Sequence, residues 1–294
     1  MLSPVLASFH CPKAVTLRIN TLRGDVEDTR DGLTQSGFHL SPLPWFGYAF
    51  ELPPEQKRAL TESVFFSRGR IYIQNPSSLL AGEILAPRPG EEILDLCAAP
   101  GGKTSHLAML MGDRGRIAAV EPVRDRYFRL RANLQRLGVT VARCYRMDGR
   151  GVGRKTPDRF DRVLIDAPCS SEARFRVGDP DSFAHWGLPK IRECARKQKR
   201  LLLAGAAALK PGGRLLYCTC SFAPEENEAV VDHMLRRQDR LRVIPIELPA
   251  AGARIQNGLD RWQGDRFDPQ VRHAVRILPD RRFDGFFLCL MEKG

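Results

Sequence analysis

With 294 residues, the chain suits one large domain or a core domain plus a smaller one. Its 43% hydrophobic content is ordinary for a globular protein with a sizeable core. No apolar run approaches the roughly 18–20 residues needed to span a bilayer. The net charge of +12 sits almost wholly beyond residue 75: residues 1–75 hold 8 Lys+Arg against 7 Asp+Glu, and residues 76–294 hold 38 against 27. Such an excess favours a polyanionic partner through counterion release, although a merely basic surface would look the same. The opening MLSPVLASFHCPK lacks a basic stretch followed by an apolar run of signal-peptide length, so a cytoplasmic protein with no membrane partner is expected.

The eight cysteines, at 11, 97, 144, 169, 194, 218, 220 and 289, are too dispersed for a secreted disulfide scaffold. There is no CxxC pair, and Cys218-x-Cys220 lacks a second ligand pair, so no metal is expected.

Up to about Gly69 the chain mixes short apolar stretches (VTLRINTL, GFHLSPL, GYAFEL) with Pro and Gly, which reads as a small α+β unit followed by a linker. From Glu92 strands and helices alternate. ILDL is a strand, CAAPGG a turn, KTSHLAMLM a helix and RIAAVE the next strand. Val123, Tyr127, Leu130, Leu134 and Leu137 form a helical stripe stopped by Gly138. TVARCYRM and DRVLIDAP are strands, 188–208 is a long helix and GRLLYCTC is a fifth strand. Pro224, Glu225 and Glu226 open a further helix, with acids where its dipole favours them. AVRILP and GFFLCLM, with no helix between them, predict a C-terminal hairpin at the sheet edge. Regular alternation implies a mostly parallel sheet with helices on both faces.

Ligands of such sheets bind beyond the carboxyl ends of the strands. After the first strand come Cys97, Ala98, Ala99, Pro100, Gly101, Gly102 and Lys103. Small residues there let backbone approach a ligand, and the following helix offers amides to a carboxylate. The segment is not GxGxxG, which argues against a dinucleotide. Glu121 ends the second strand, suited to ribose hydroxyls, Asp148 the third, suited to an adenine amine, and Asp166 the fourth. One such carboxylate is ordinarily a solvated residue or a helix cap. Three in succession behind a Gly-rich loop fit the nucleoside of S-adenosylmethionine.

Asp166-Ala167-Pro168-Cys169-Ser170 and Thr219-Cys220-Ser221 end the fourth and fifth strands, around what should be one pocket. Cytosine carbon 5 is a poor nucleophile until a thiolate adds to carbon 6, which is covalent catalysis. These segments supply the cysteine, acid and base that reaction needs. Free cysteines are otherwise commonly buried as small hydrophobes, the role expected for Cys11, Cys144, Cys194 and Cys289. Cys218 shares a strand face with Cys220 but lies inside the strand, which favours a core role. Cys220, at the open end, is the better nucleophile.

DLCAAPGGKT, VLIDAPCS and YCTCSFAPEENE resemble the motifs of the Sun/RsmB (Fmu-like) family of RNA cytosine-C5 methyltransferases, with LRINTL, IYIQNPSS and DGFFLCLMEK in the expected order. The resemblance covers nearly the whole chain. It implies a Rossmann-like class I methyltransferase core over 76–294 and a small N-terminal α+β, RNA-recognition-like domain over 1–75. It implies S-adenosylmethionine as cofactor, Cys220 as attacker of the base, and Cys169 as an aid to proton removal and product release. Asp166 would hold the nitrogen 3 edge, with Lys103 ordering the site. The partner would be a ribosomal or transfer RNA, and the protein a monomer. Two positions depart from the pattern: Ser171 stands where members often have Gly, and Asp280 where a His is frequent. The extra RNA-binding domain of several relatives is not seen.

A DNA cytosine methyltransferase would use a Pro-Cys dipeptide on the fourth strand, casting Cys169 as attacker, but the second cysteine favours RNA. An adenine amino-methyltransferase would want Asp/Asn-Pro-Pro and an aromatic there. A non-catalytic RNA-binding assembly factor would have no need of the intact cysteine pair. For RNA phosphates the candidates are Arg174 and Arg176, on the loop that leaves the fourth strand at its catalytic end. Secondary candidates lie on the helix at Lys190, Lys197 and Arg200, which could share a face.

Overall fold

The computed structural model describes residues 2–10, 13–249 and 252–294. Strands β1 (Val15–Ile19), β2 (Ser41–Pro42), β3 (Ala49–Leu52) and β4 (Ile71–Ile73) form a sheet in the order β2-β3-β1-β4. β1 runs antiparallel to both β3 and β4. Helices Val26–Gln35 and Lys57–Glu62 fall after β1 and β3, so the chain order is β-α-β-β-α-β, a split-βαβ arrangement. Leu17 and Ile19 pack with Leu33, Phe50, Leu60 and Ile71 in a separate apolar cluster. β1 is buried on both faces because Thr16 and Arg18, on the opposite side, are also covered. Arg18 is fully buried and donates to Gln74 Oε1 (2.9 Å) and Ser105 Oγ (2.5 Å). It thereby ties this unit to the second sheet's first helix. Only Gln74 and Asn75 separate β4 from helix Pro76–Leu85, so the expected linker is replaced by a helix whose N-cap is Asn75.

The larger sheet takes β5 (Glu92–Asp95), β6 (Arg116–Val120), β7 (Ala142–Tyr145), β8 (Phe160–Asp166) and β9 (Leu209–Thr219) in parallel, in the order β7-β6-β5-β8-β9. The next strands are β10 (Leu241–Ile244), β11 (Ile255–Asn257), the β12–β13 ribbon (Arg261–Trp262 with Asp265–Arg266), β14 (Val275–Ile277) and β15 (Phe286–Lys293). β14 and β15 do pair as an antiparallel hairpin, but β15 lies inside the sheet. It runs antiparallel to β9 on one side and to β10 and β14 on the other, and β11 forms the outer edge beyond β14. The apolar run of β15 suits an interior strand buried on both faces.

Alternation along the central strands splits the core into two layers. Leu94, Val163, Ile165, Leu215 and Tyr217 face Leu201, Leu202 and Ala206 of helix Leu188–Ala208. Ile93, Leu164, Leu216 and Cys218 face helices Pro76–Leu85 and Gly102–Leu110 through Leu79, Leu80, Leu107 and Ala108. Cutting a fully buried leucine such as Leu164 to alanine would cost about 2–5 kcal/mol. Chain order reverses between β5 and β8, since β6 and β7 lie on one side of β5 while β8 and β9 lie on the other. Crevices for ligands open at such switch points. Among the described residues, no helix is long and apolar enough to cross a membrane, and no group of three or more His, Cys, Asp or Glu could hold a metal ion.

Candidate active site

The loop after β5 meets the end of β8 at this switch point. Gly101, at φ +103°, caps helix Gly102–Leu110 in a conformation that favours glycine. Gly102 is small for another reason: a Cβ there would come within 2.8 Å of the Tyr72 ring, so the second glycine lets the N-terminal unit close on the helix. Ala98 and Ala99 are buried, Cys97 is half-buried and Pro100 is exposed. Lys103 points across the crevice, with Nζ 2.7 Å from Asp166 Oδ2. Burial opposes its charge, but the Asp166 carboxylate outweighs this and holds the ammonium above its ordinary range. Asp95, which the sequence reading passed over, lies beneath the loop, accepting from Thr104 Oγ1 (2.8 Å) and Cys97 N (3.4 Å). Burial pushes its carboxyl up to about 7.

Glu121 follows β6 directly and is buried. Its Oε1 accepts the Val123 N–H at 3.0 Å, and Oε2 lies 3.5 Å from Arg126 Nη2. That leaves acceptor capacity on Oε2 for a ligand hydroxyl. Asp148 does not end the third strand, because β7 stops at Tyr145. It is exposed, caps the turn Gly149–Gly151, and accepts the backbone N–H and guanidinium of Arg150.

Asp166 and Thr219 are the last residues of β8 and β9, neighbouring parallel strands. The segments that follow therefore emerge side by side, bringing Cys169 Sγ and Cys220 Sγ to 3.2 Å. The two thiols are not equivalent. The hydrogen bond from Cys169 draws the Cys220 thiol below its ordinary range, against burial, with help from the Arg174 guanidinium and the Ser171 hydroxyl. The same contact, with burial, holds Cys169 well above its range. Cys218 is fully buried, with Sγ 3.7 Å from Asp166 Oδ1, and burial raises its thiol. Cys194 and Cys289 are buried and Cys144 half-buried, while Cys11 lies outside the described residues.

A polar clamp joins the two cysteine segments. Pro224–Asn227 is a turn, and the helix opens only at Glu228, so Glu226 is not a dipole-facing acid. Its buried carboxylate accepts from Ser170 N (3.2 Å), Ser221 Oγ (3.1 Å), Gln198 Nε2 (2.7 Å) and the Ser170 hydroxyl. Asn227 bridges Thr219 Oγ1 (2.6 Å) and Ser221 O (2.9 Å). Glu172 accepts from Phe222 N (3.2 Å) and Trp186 Nε1 (2.8 Å), and its Oε1 lies 2.6 Å from Ser170 Oγ. Sequence pattern alone places Glu226 at a helix start and gives Glu172 and Asn227 no role, although Glu226 and Asn227 lie within the YCTCSFAPEENE segment.

The segment after Cys169 leaves the pocket toward solvent. Arg174 and Arg176 are both exposed, and neither has an ion pair among the described residues. Arg174 feels the Cys220 thiolate first and Asp166 next, which raises its guanidinium. Phe183 and Trp186 are exposed on the same loop. On helix Leu188–Ala208, Lys190 and Lys197 do share a face, but both are paired to Glu193. Asp280 caps its own turn, accepting from Arg282 N and Phe283 N at 2.8 Å each.

A family model described as 16S rRNA methyltransferase RsmB/F matches residues 82–292. The tRNA (cytosine(49)-C(5))-methyltransferase of Pyrococcus abyssi is 37% identical over 291 residues, covering 98% of this chain and 90% of that protein. The 28S rRNA (cytosine-C(5))-methyltransferase of Mus musculus is 38% identical over 287 residues, but this chain spans only 35% of its length. A solved methyltransferase homolog protein from Pyrococcus horikoshii matches with a TM-score of 0.83 at 33% identity, covering 99% of this chain and 90% of that one.

Proposed function

The chain belongs to the RsmB/F family of RNA methyltransferases, and from that premise we propose that it methylates carbon 5 of a cytosine in RNA with Cys220 as covalent nucleophile. The observation that carries this reading is the 3.2 Å pair of unlike thiols at the ends of β8 and β9, beside the switch point. S-adenosylmethionine, when bound, supplies an electrophilic methyl carbon. The residues present fit it: Glu121 keeps an acceptor oxygen for ribose hydroxyls, and the small residues from Ala98 to Gly102 leave backbone open to approach. Asp148 is the weakest member of the set, since Arg150 already occupies its carboxylate.

The Cys220 thiolate adds to cytosine carbon 6, and the electron pair of the 5,6 double bond becomes available at carbon 5. As charge develops on the ring, nitrogen 3 takes up a proton from solvent, and the Asp166 carboxylate, held in place by Lys103, accepts the hydrogen bond of that N–H. Carbon 5 takes the methyl group and then carries one hydrogen too many. Cys169 is kept protonated in the free enzyme by the charge on Cys220. Once Cys220 is bound to carbon 6 that charge is gone, and Cys169 can release its proton to solvent and take the one from carbon 5. The pair left on carbon 5 re-forms the double bond and expels the Cys220 thiolate, and nitrogen 3 returns its proton to solvent.

Arg174 and Arg176 would hold phosphates at the pocket mouth, and the unit over residues 1–75 would be an RNA-recognition-like domain. The substrate would be a transfer or ribosomal RNA met in the cytoplasm. The test is methyl transfer from labelled S-adenosylmethionine to tRNA and 16S rRNA transcripts, with bisulfite sequencing to place the mark. Label at a single cytosine supports the proposal. Label only in a matching DNA duplex would return the DNA enzyme, and none in either would favour an assembly factor.

A further inference from the structure

Ser171 sits at φ +65° and ψ 32°, in the left-handed region where glycine is at ease and a side chain is strained. Strain of this kind persists where surrounding contacts require it, and it gathers at functional sites. Here the contacts are with the two thiols. Ser171 Oγ lies 3.5 Å from Cys220 Sγ, 3.7 Å from Cys169 Sγ and 3.3 Å from the Cys169 carbonyl oxygen.

We propose that the Ser171 hydroxyl is a third member of the cysteine pair, donating to the Cys220 sulfur when it is charged and so holding the nucleophile ready before cytosine arrives. The inference rests on the nucleophilic role of Cys220 proposed above. A hydroxyl is both donor and acceptor, and its hydrogen rotates to suit. With Cys220 neutral, its S–H donates to Oγ, and the serine O–H donates to the Cys169 carbonyl oxygen. With Cys220 ionised, the serine O–H turns to the sulfur, a bond much stronger to the thiolate than to the neutral thiol, and such a bond favours ionisation. The other groups facing this sulfur are the Cys169 thiol, the Arg174 guanidinium and the Asp166 carboxylate, itself paired with Lys103. Cys169 must hold a proton in the free enzyme and give it up later, so its hydrogen bond to Cys220 is not constant through the reaction. Ser171 never ionises, so its hydroxyl is ready to donate again when the Cys220 thiolate is expelled.

Two variants separate the hydroxyl from the backbone. Ser171→Gly removes the hydroxyl and relieves the left-handed strain, whereas Ser171→Ala removes the hydroxyl and keeps the strain. The readout is iodoacetamide alkylation of Cys220 in the full chain, followed by peptide mass spectrometry across roughly pH 5–10, beside thermal melting. Both variants should move the alkylation midpoint upward by about one pH unit, the size of one lost hydrogen bond to a charged group. Methyl transfer should slow several-fold below that midpoint and recover above it. Melting should rise for Ser171→Gly and not for Ser171→Ala, so a shared alkylation shift cannot come from altered folding. Parental midpoints in both variants would overturn the role of Ser171 and leave the nucleophile assignment standing. Methyl transfer that survives full alkylation of Cys220 would overturn the assignment and this inference with it.

Discussion

Cys169 Sγ lies 3.2 Å from Cys220 Sγ, and the contact drives the two thiols apart, Cys220 toward the thiolate and Cys169 toward the protonated form. The asymmetry assigns the order of events, with attack by Cys220 first and proton removal through Cys169 afterwards. Cys169→Ala should leave attack possible and block release. The variant is expected to accumulate an RNA–protein complex that survives a denaturing gel, with turnover lost. Free RNA and normal turnover would make Cys169 a packing residue.

Glu121 offers a separate handle on the cofactor, because it lies at the end of β6, away from both cysteines. Loss of a charge-assisted hydrogen bond costs roughly 1.5–3 kcal/mol, so Glu121→Ala should weaken S-adenosylmethionine binding by about one to two orders of magnitude. RNA affinity should barely change. Titration calorimetry reads the first and a gel-shift assay the second, and unchanged cofactor affinity would remove Glu121 from the site.

Asp95 makes a prediction about stability and pH. Burial raises its folded pKa from 3.8 to about 7, and the Thr104 hydrogen bond only partly offsets this. The unfolded chain therefore binds fewer protons than the folded one between those values, and stability falls as pH rises across them. The contribution is fully present below about pH 4 and has been lost once pH passes about 7. Asp95→Asn cannot ionise and should lack this fall, gaining on the parent by on the order of a few kcal/mol between acid and neutral pH. Urea melts at both ends of the window measure it, and parallel curves for parent and variant would show that Asp95 titrates normally.

Local pattern carried the parallel core, because strands β5 to β9 and the helices between them alternate with clear periods and stops. It carried the cysteines too, since both lie just past strands whose ends are marked by Asp166 and Thr219. What it missed depends on partners distant in sequence. Pro224, Glu225 and Glu226 look like a helix start, yet the partners of Glu226 include Ser170 and Gln198, 56 and 28 residues away. Arg18 alternates with Leu17 and Ile19 on β1, and only contacts with Gln74 and Ser105, far along the chain, bury it. β15 looks terminal, and only long-range pairing with β9 brings it inside the sheet. TVARCYRM reads as one strand that would end at Asp148, but β7 at the sheet edge pairs only from Ala142 to Tyr145.

The central claim is that Cys220 attacks the base, and adduct formation tests it most directly. Fluorine at carbon 5 cannot be removed as a proton, so RNA carrying 5-fluorocytosine at the methylated position should trap the parent enzyme as a covalent complex. Cys220→Ala should form none, while binding S-adenosylmethionine with parental affinity as evidence that it is folded. A denaturant-stable adduct on the Cys220→Ala protein would contradict the assignment and return the attack to Cys169.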